Sequence, residues 1–268
     1  MATLLKGDCL KVMATLPDKS VDCFICDLPY GQLATGFERP GHNEEVKKKI
    51  AKQTADCCKW DIKIDLVEFW KQVKRLAKDA HTPVLMFCNT RFGYELIKSN
   101  EKWFRYDLVW DKGHGVSFLL ANKMPMKSHE MVYVFSKAGA YYNRIDVKGD
   151  FKFQDRSKVK PSNTTAYSFV ASGKCLPAAN ISATHRCPLS VIPISGTNGT
   201  KASKQHPTEK PLELYEWLLS RYCPKDGTVL DPTAGSFNSI LVARKLGFKA
   251  IGIEMDTNFY WKGVAKFA

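Results

Sequence analysis

The chain has 268 residues, of which 44% are hydrophobic, 12% aromatic and 25% charged. These are values of a folded globular protein and exclude a disordered or collagen-like chain. Forty Lys and Arg against 27 acids leave a net charge of +13, which points to a polyanionic partner, because basic side chains gain by releasing condensed counterions; a merely basic enzyme is the alternative.

No run of 18 apolar residues occurs, so no membrane span is expected. The opening MATLLKGD lacks the basic flank and long apolar run of a signal peptide. The first clear element is Val21–Cys26, an apolar run ending in Asp27, read as a buried strand feeding a loop. Cys23 and Cys26 within it have zinc-motif spacing, but positions i and i+3 of a strand face opposite ways, and no second Cys/His pair follows. The nine cysteines, an odd number, read as reduced thiols of a cytosol-like compartment. Residues 32–59 are irregular, with a charge run at Val46–Lys49 read as a solvated helix face.

Asp65–Lys78 places Leu66, Phe69, Trp70, Val73 and Ala77 on one face of an amphipathic helix, with Asp65 and Glu68 spaced as a capping box. Pro83–Cys88, Tyr106–Trp110 and Met131–Phe135 read as further strands. Between Lys137 and Lys204 the pattern decays into Ser, Thr, Gly and Pro, as in a functional or mobile loop region. The charge is concentrated around it: Lys112–His206 holds 14 Lys and Arg against 4 acids. Aromatic residues such as Tyr142, Phe151 and Tyr167 are interleaved, a mixture suited to phosphate and base contact, or to a solvated insertion. Glu209–Tyr222 is then a helix, Thr228–Leu230 a strand running into Asp231, and Ser236–Leu246 a helix closed by Gly247. Ala250–Ile253 is a strand ending in Glu254, and a last helix capped by Asp256 or Thr257 runs to Phe267. This strand–helix alternation implies parallel pairing in a doubly wound α/β sheet.

Two strand ends carry the chemistry. In such a sheet the carboxyl ends of the strands line the ligand crevice. Asp27-Leu28-Pro29-Tyr30-Gly31 therefore sets a hydrogen-bond acceptor, a rigid turn and a flat ring at the crevice mouth. An acceptor beside a ring suits the exocyclic amino group of a planar base; an ordinary turn is the alternative. In Leu230–Asn238 an acid, a turn of small residues and a helix start follow one another, and Glu254 closes the next strand about twenty residues on. That spacing suits an adenosine-containing ligand, with backbone N–H groups toward its anionic end and the acid toward ribose hydroxyls.

These segments resemble a known family. DLPY at Asp27–Tyr30 resembles the D-P-P-Y signature of S-adenosylmethionine-dependent DNA amino-methyltransferases. VLDPTAGSFNS resembles their cofactor loop, and HPTEKP at His206–Pro211 the H-P-T-x-K-P element before it. The order, catalytic loop first and cofactor loop last, is that of the permuted β-type, with target recognition between. The resemblance implies a Rossmann-like methyltransferase fold in a single domain spanning 1–268. Within it residues 1–136 form the catalytic portion, 137–204 an inserted DNA-recognition region and 205–268 the cofactor-binding portion. It implies methyl transfer from S-adenosylmethionine to adenine N6 of a base flipped out of double-stranded DNA, without metal, in a cytoplasmic protein. A homodimer and a restriction partner are compatible with it. Methylation of cytosine N4, and a DNA-binding protein with a degraded cofactor loop, stand as alternatives.

By the same resemblance Asp27, the Leu28 carbonyl, Pro29 and Tyr30 form the catalytic loop. Asp27, Thr208, Lys210, Asp231, Pro232, Ala234, Gly235, Ser236 and Glu254 hold the cofactor, with Lys210 beside its carboxylate. Lys152, Arg156, Lys158 and Lys160 are the expected DNA contacts. Leu28 stands where the family has proline, and Phe237 where it has glycine. Cofactor binding thus requires the Phe237 ring, one residue into its helix, to turn away into packing while Ser236 caps.

Overall fold

The computed structural model describes residues 1–31, 61–116, 118, 121–148, 185–196 and 209–267. Two compact units emerge, Met1–Asn143 with Ser190–Ala268, and Arg144–Leu189. In the smaller unit, β6 (Val147–Lys148) pairs antiparallel with β7 (His185–Arg186).

The larger unit is built on an eight-stranded sheet. Its strands are β1 (Ala2–Lys6), β2 (Cys23–Cys26), β3 (Val84–Cys88), β4 (Phe104–Val116), β5 (Lys127–Phe135), β8 (Val191–Pro193), β9 (Thr228–Asp231) and β10 (Lys249–Glu254). The order is β1-β10-β9-β2-β3-β5-β4-β8. The first five run parallel. β5 is antiparallel to both its neighbours, and β8 is parallel to β4. The apolar runs at Val21–Cys26, Pro83–Cys88, Thr228–Leu230 and Ala250–Ile253 form its central parallel strands, as expected of strands that are covered on both faces.

Alternation along those runs feeds two cores. Cys23, Ile25, Leu85 and Phe87 pack on one face, together with α4 (Leu212–Tyr222) and α5 (Asn238–Lys245). Phe24, Cys26, Val84, Met86 and Cys88 pack on the other, with α1 (Cys9–Thr15), α2 (Leu66–Leu76) and α3 (Thr90–Ser99). Cys23 and Cys26 therefore lie on opposite faces, as their spacing requires.

Helix starts follow local chemistry. Asp8, Asp65 and Asn89 cap α1, α2 and α3 by accepting backbone N–H bonds, and Asp256 caps α6 (Thr257–Val264). Only half of the expected capping box forms: Glu68 bonds Lys71 and Gln72 within α2 instead of reaching back. Asn89, a strand-end residue that could line a pocket, bonds Phe92 N as a cap.

Phe237 departs from expectation. α5 begins at Asn238, and Phe237 sits at the cap position in the left-handed region, φ 59°, without a side-chain cap hydrogen bond. Ser236 is thus not the cap. The left-handed conformation explains why glycine suits this position, since a side chain there costs about 1–2 kcal/mol.

Candidate active site

The site grows from two adjacent strand ends. β2 and β9 are parallel neighbours, with Cys23 beside Val229 and Phe24 beside Leu230. Asp27 and Asp231 therefore emerge at the same edge of the sheet. A hydrogen bond joins the two loops: Thr233 Oγ1 donates to the Asp27 carbonyl at 3.1 Å. Thr233 thereby fixes one loop on the other.

Within the first loop, the Tyr30 hydroxyl donates to Asp27 Oδ1 at 3.1 Å. The Tyr30 ring stacks on Phe92 of α3, centroids 4.9 Å apart and planes at 28°. Burial, then the neighbouring Asp27 charge, push the Tyr30 hydroxyl well above its ordinary pKa, so it stays a donor. Leu28, in place of proline, buries its side chain in the core behind the loop. Gly31 N donates to Asp61 Oδ1 at 2.9 Å.

Lys210 reaches this loop from the segment before α4. Its ammonium lies 2.6 Å from Asp27 Oδ2 and 3.6 Å from Glu130 Oε2. It is buried, over the Phe87 ring at 5.2 Å. Burial alone would lower the lysine pKa, but the charges of Asp27 and Glu130 outweigh it and the net shift is upward. Glu130, on β5, also pairs with Lys112 of β4. Burial raises its carboxyl, yet Lys210 and Lys112 outweigh it, leaving its pKa lowered. Two carboxylates and two ammoniums thus alternate below the crevice. Glu130 has no local sequence signature; its partners lie 18 and 80 residues away, so only the fold reveals it.

The second loop is ordered from beneath. Asp231 is buried, takes the Ser239 hydroxyl on Oδ2 and the Thr233 N–H on Oδ1. Burial raises its pKa to about 7, against these hydrogen bonds. This acid shapes the turn from below. Pro232, Ala234 and Gly235 complete the turn, and Lys266 donates to the Ser236 carbonyl at 2.7 Å. Glu254, half-buried at the end of β10, accepts from Gly235 N at 2.8 Å and from Asp256 N at 2.7 Å. Burial raises its pKa despite those bonds.

The Phe237 ring leaves this loop altogether. It is fully buried and contacts Tyr260 edge-on at 6.2 Å. It fills a slot between Gly252 of β10 and Gly263 of α6, where a Cβ on Gly263 would come within 2.0 Å of the ring. The bulky residue therefore leaves the loop surface to small residues. Of the other expected site residues, Thr208, Lys152, Arg156, Lys158 and Lys160 lie outside the described residues, as do the charge run at 46–49 and most of 137–204.

Such an architecture, a largely parallel sheet with acid-ended strands and a small-residue turn at their carboxyl ends, defines a doubly wound α/β fold of the nucleotide-binding class. The comparisons give the family. A model described as DNA methylase, of the N6/N4 methyltransferase group, matches residues 21–263, and the chain belongs to that family. The type II methyltransferase M.HinfI of Haemophilus influenzae is 27% identical over 276 residues, covering 96% of this chain. The chain spans 66% of the length of M.HinfI. Two solved structures share the fold. The M1.HpyAVI–SAM complex has a TM-score of 0.59 at 15% identity, covering 100% of this chain and 99% of that one. The cytosine-N4-specific PvuII DNA methyltransferase has a TM-score of 0.64 at 15% identity, covering 100% and 86%.

Proposed function

We propose that the protein transfers a methyl group from S-adenosylmethionine to an exocyclic amino nitrogen of DNA, and that the base is adenine. The observation that carries this reading is the junction of the two loops: an acid-and-ring loop at the end of β2, hydrogen-bonded through Thr233 to a small-residue loop at the end of β9. One loop is equipped for an amino group on a planar base, the other for an adenosine cofactor, and they meet at one edge.

The residues fit that cofactor. Phe237, the one bulky side chain of the second loop, turns its ring into the slot beside Gly252 and Gly263. Glu254 keeps a half-exposed carboxylate beside the loop, and two bound N–H groups leave lone pairs for ribose hydroxyls. This argues against a degraded loop. When bound, S-adenosylmethionine supplies an electrophilic methyl group on a good leaving group.

The chain's own residues then bind and orient. Asp27 and the Leu28 carbonyl accept the hydrogens of the target amino group, which aims its lone pair and stabilises positive charge growing on nitrogen. Tyr30 fixes Asp27 through its hydroxyl and offers ring surface to a base taken out of the stack, a step costing a few kcal/mol. Asp27 rather than serine at the loop start favours adenine over cytosine by the family resemblance. Lys152, Arg156, Lys158 and Lys160, in the basic stretch between the two loops, contact DNA phosphates.

The test is transfer of labelled methyl from S-adenosylmethionine to DNA by the parent protein and by Asp27→Ala. The parent should label DNA. The variant should not, while binding S-adenosylmethionine within a few-fold of the parent by calorimetry. An Asp27→Ala protein with near-parental turnover overturns the role given to Asp27.

A further inference from the structure

Both carboxylate oxygens of Asp27 are already engaged, Oδ1 by the Tyr30 hydroxyl and Oδ2 by Lys210. Each oxygen keeps a second acceptor site, but the Lys210 ammonium on Oδ2 neutralises the negative charge that a target amino group would meet there. The lysine bond is charge-assisted and the stronger competitor. Releasing a buried ammonium with nothing to receive it would be costly.

The structure holds a receiver. Glu130 Oε1 pairs with Lys112, whereas Oε2 is buried and without a hydrogen bond among the described residues. That oxygen stands 3.6 Å from Lys210 Nζ. A movement on the order of 1 Å would turn this contact into a charge-assisted hydrogen bond. The ammonium would exchange one carboxylate for another without entering water, and the ion pair with Glu130 Oε2 would become a hydrogen bond.

We propose that Glu130 is a positioning residue, the second seat of the Lys210 ammonium, which frees Asp27 Oδ2 for the incoming amino group. This rests on Asp27 being the acceptor. The Phe87 ring flanking Lys210 holds the ammonium between the two carboxylates, and Lys112 keeps Glu130 ionised and aimed.

Two measurements test the exchange. The first is a stability cycle that needs no substrate. In Asp27→Asn the lysine moves to Glu130, and in Glu130→Gln it stays on Asp27, so each single substitution should lower Tm only slightly. The double variant removes both Asp27 and Glu130, the two carboxylates that flank the buried ammonium, and its Tm loss should exceed the sum of the singles by about 4 °C or more. Additive losses overturn the shared seat. The second is kinetic. Glu130→Gln should lower kcat about tenfold while KM for S-adenosylmethionine and for DNA stays within about twofold. In a Lys210→Met background, where Asp27 is already free of the lysine, adding Glu130→Gln should change kcat less than about twofold. An unchanged kcat, or the same loss in both backgrounds, overturns the proposal. If Glu130→Gln does not fold, Glu130→Asp keeps the charge with a shorter reach and should retain Tm but lose kcat. Absence of methyl transfer in the parent protein overturns the acceptor reading of Asp27 and the exchange with it; failure of the stability cycle alone overturns only the second seat.

Discussion

Phe237→Gly is the substitution that would restore the family's cofactor-loop pattern, and the structure sets opposing effects on it. The ring is fully buried against Gly252, Gly263 and Tyr260. Truncating a buried phenylalanine costs about 3–5 kcal/mol. Against this, glycine removes the strain of φ 59°, about 1–2 kcal/mol, and gives back roughly 0.5–1 kcal/mol through the greater freedom of the unfolded chain. The net loss is about 2–4 kcal/mol, a Tm decrease of about 5–15 °C for a chain of this size. Phe237→Ala keeps the strain and should be less stable than Phe237→Gly by up to about 1 kcal/mol. Gly263→Ala, which would drive a Cβ into the ring, should be strongly destabilising alone and well tolerated in the Phe237→Gly background. Thermal melts and calorimetric titration with S-adenosylmethionine check all four variants. Cofactor affinity should change little. A Phe237→Gly protein that melts no lower, or that binds S-adenosylmethionine far more tightly than its parent, would refute the placement of the ring.

Three other outcomes follow from the geometry. Tyr30→Phe keeps the ring but loses the bond to Asp27, so transfer should fall about tenfold, and Tyr30→Ala about a hundredfold or more; equal losses would assign everything to the hydroxyl. Asp231 holds its proton to about pH 7 in the folded state, above an unfolded carboxylate near 4, so folding takes up a proton between these values and stability falls as pH rises through that window. Denaturant titrations should show the parent losing stability relative to Asp231→Asn from about pH 4 to 7, and a pH-independent difference would contradict the buried, protonated acid. Replacing Lys152, Arg156, Lys158 and Lys160 by Gln should flatten the log–log salt dependence of DNA binding by up to about 3–4 units, at about 0.9 per phosphate; an unchanged slope places the phosphate contacts elsewhere.

The sheet was legible because its central strands are buried on both faces and read as unbroken apolar runs closed by acids. Asp27, Asp231 and Glu254 could each be placed at a strand end from that pattern alone. β1 and α1 were not, since five and seven residues are too short for a period to stand out. α3 was missed because its buried face is little more than Phe92, Gly93 and Leu96, although Asn89 at its cap was a signal. The left-handed Phe237 leaves no local trace beyond standing where the family has glycine. Lys210, expected beside the cofactor carboxylate, pairs in the structure with Asp27 and Glu130, carboxylates 183 and 80 residues away in sequence. The Thr233 bond to the Asp27 carbonyl likewise depends on two strands from opposite ends of the chain lying side by side.

The central claim, methylation of an amino nitrogen of adenine through Asp27, is tested most directly in a bacterial host devoid of DNA methylation. The parent chain or Asp27→Ala is expressed, and the hydrolysed DNA is examined by nucleoside mass spectrometry. The account predicts N6-methyladenine with the parent and none with the variant. N4-methylcytosine instead would overturn the choice of base, and unmodified DNA from a folded protein that binds S-adenosylmethionine would contradict the reaction itself.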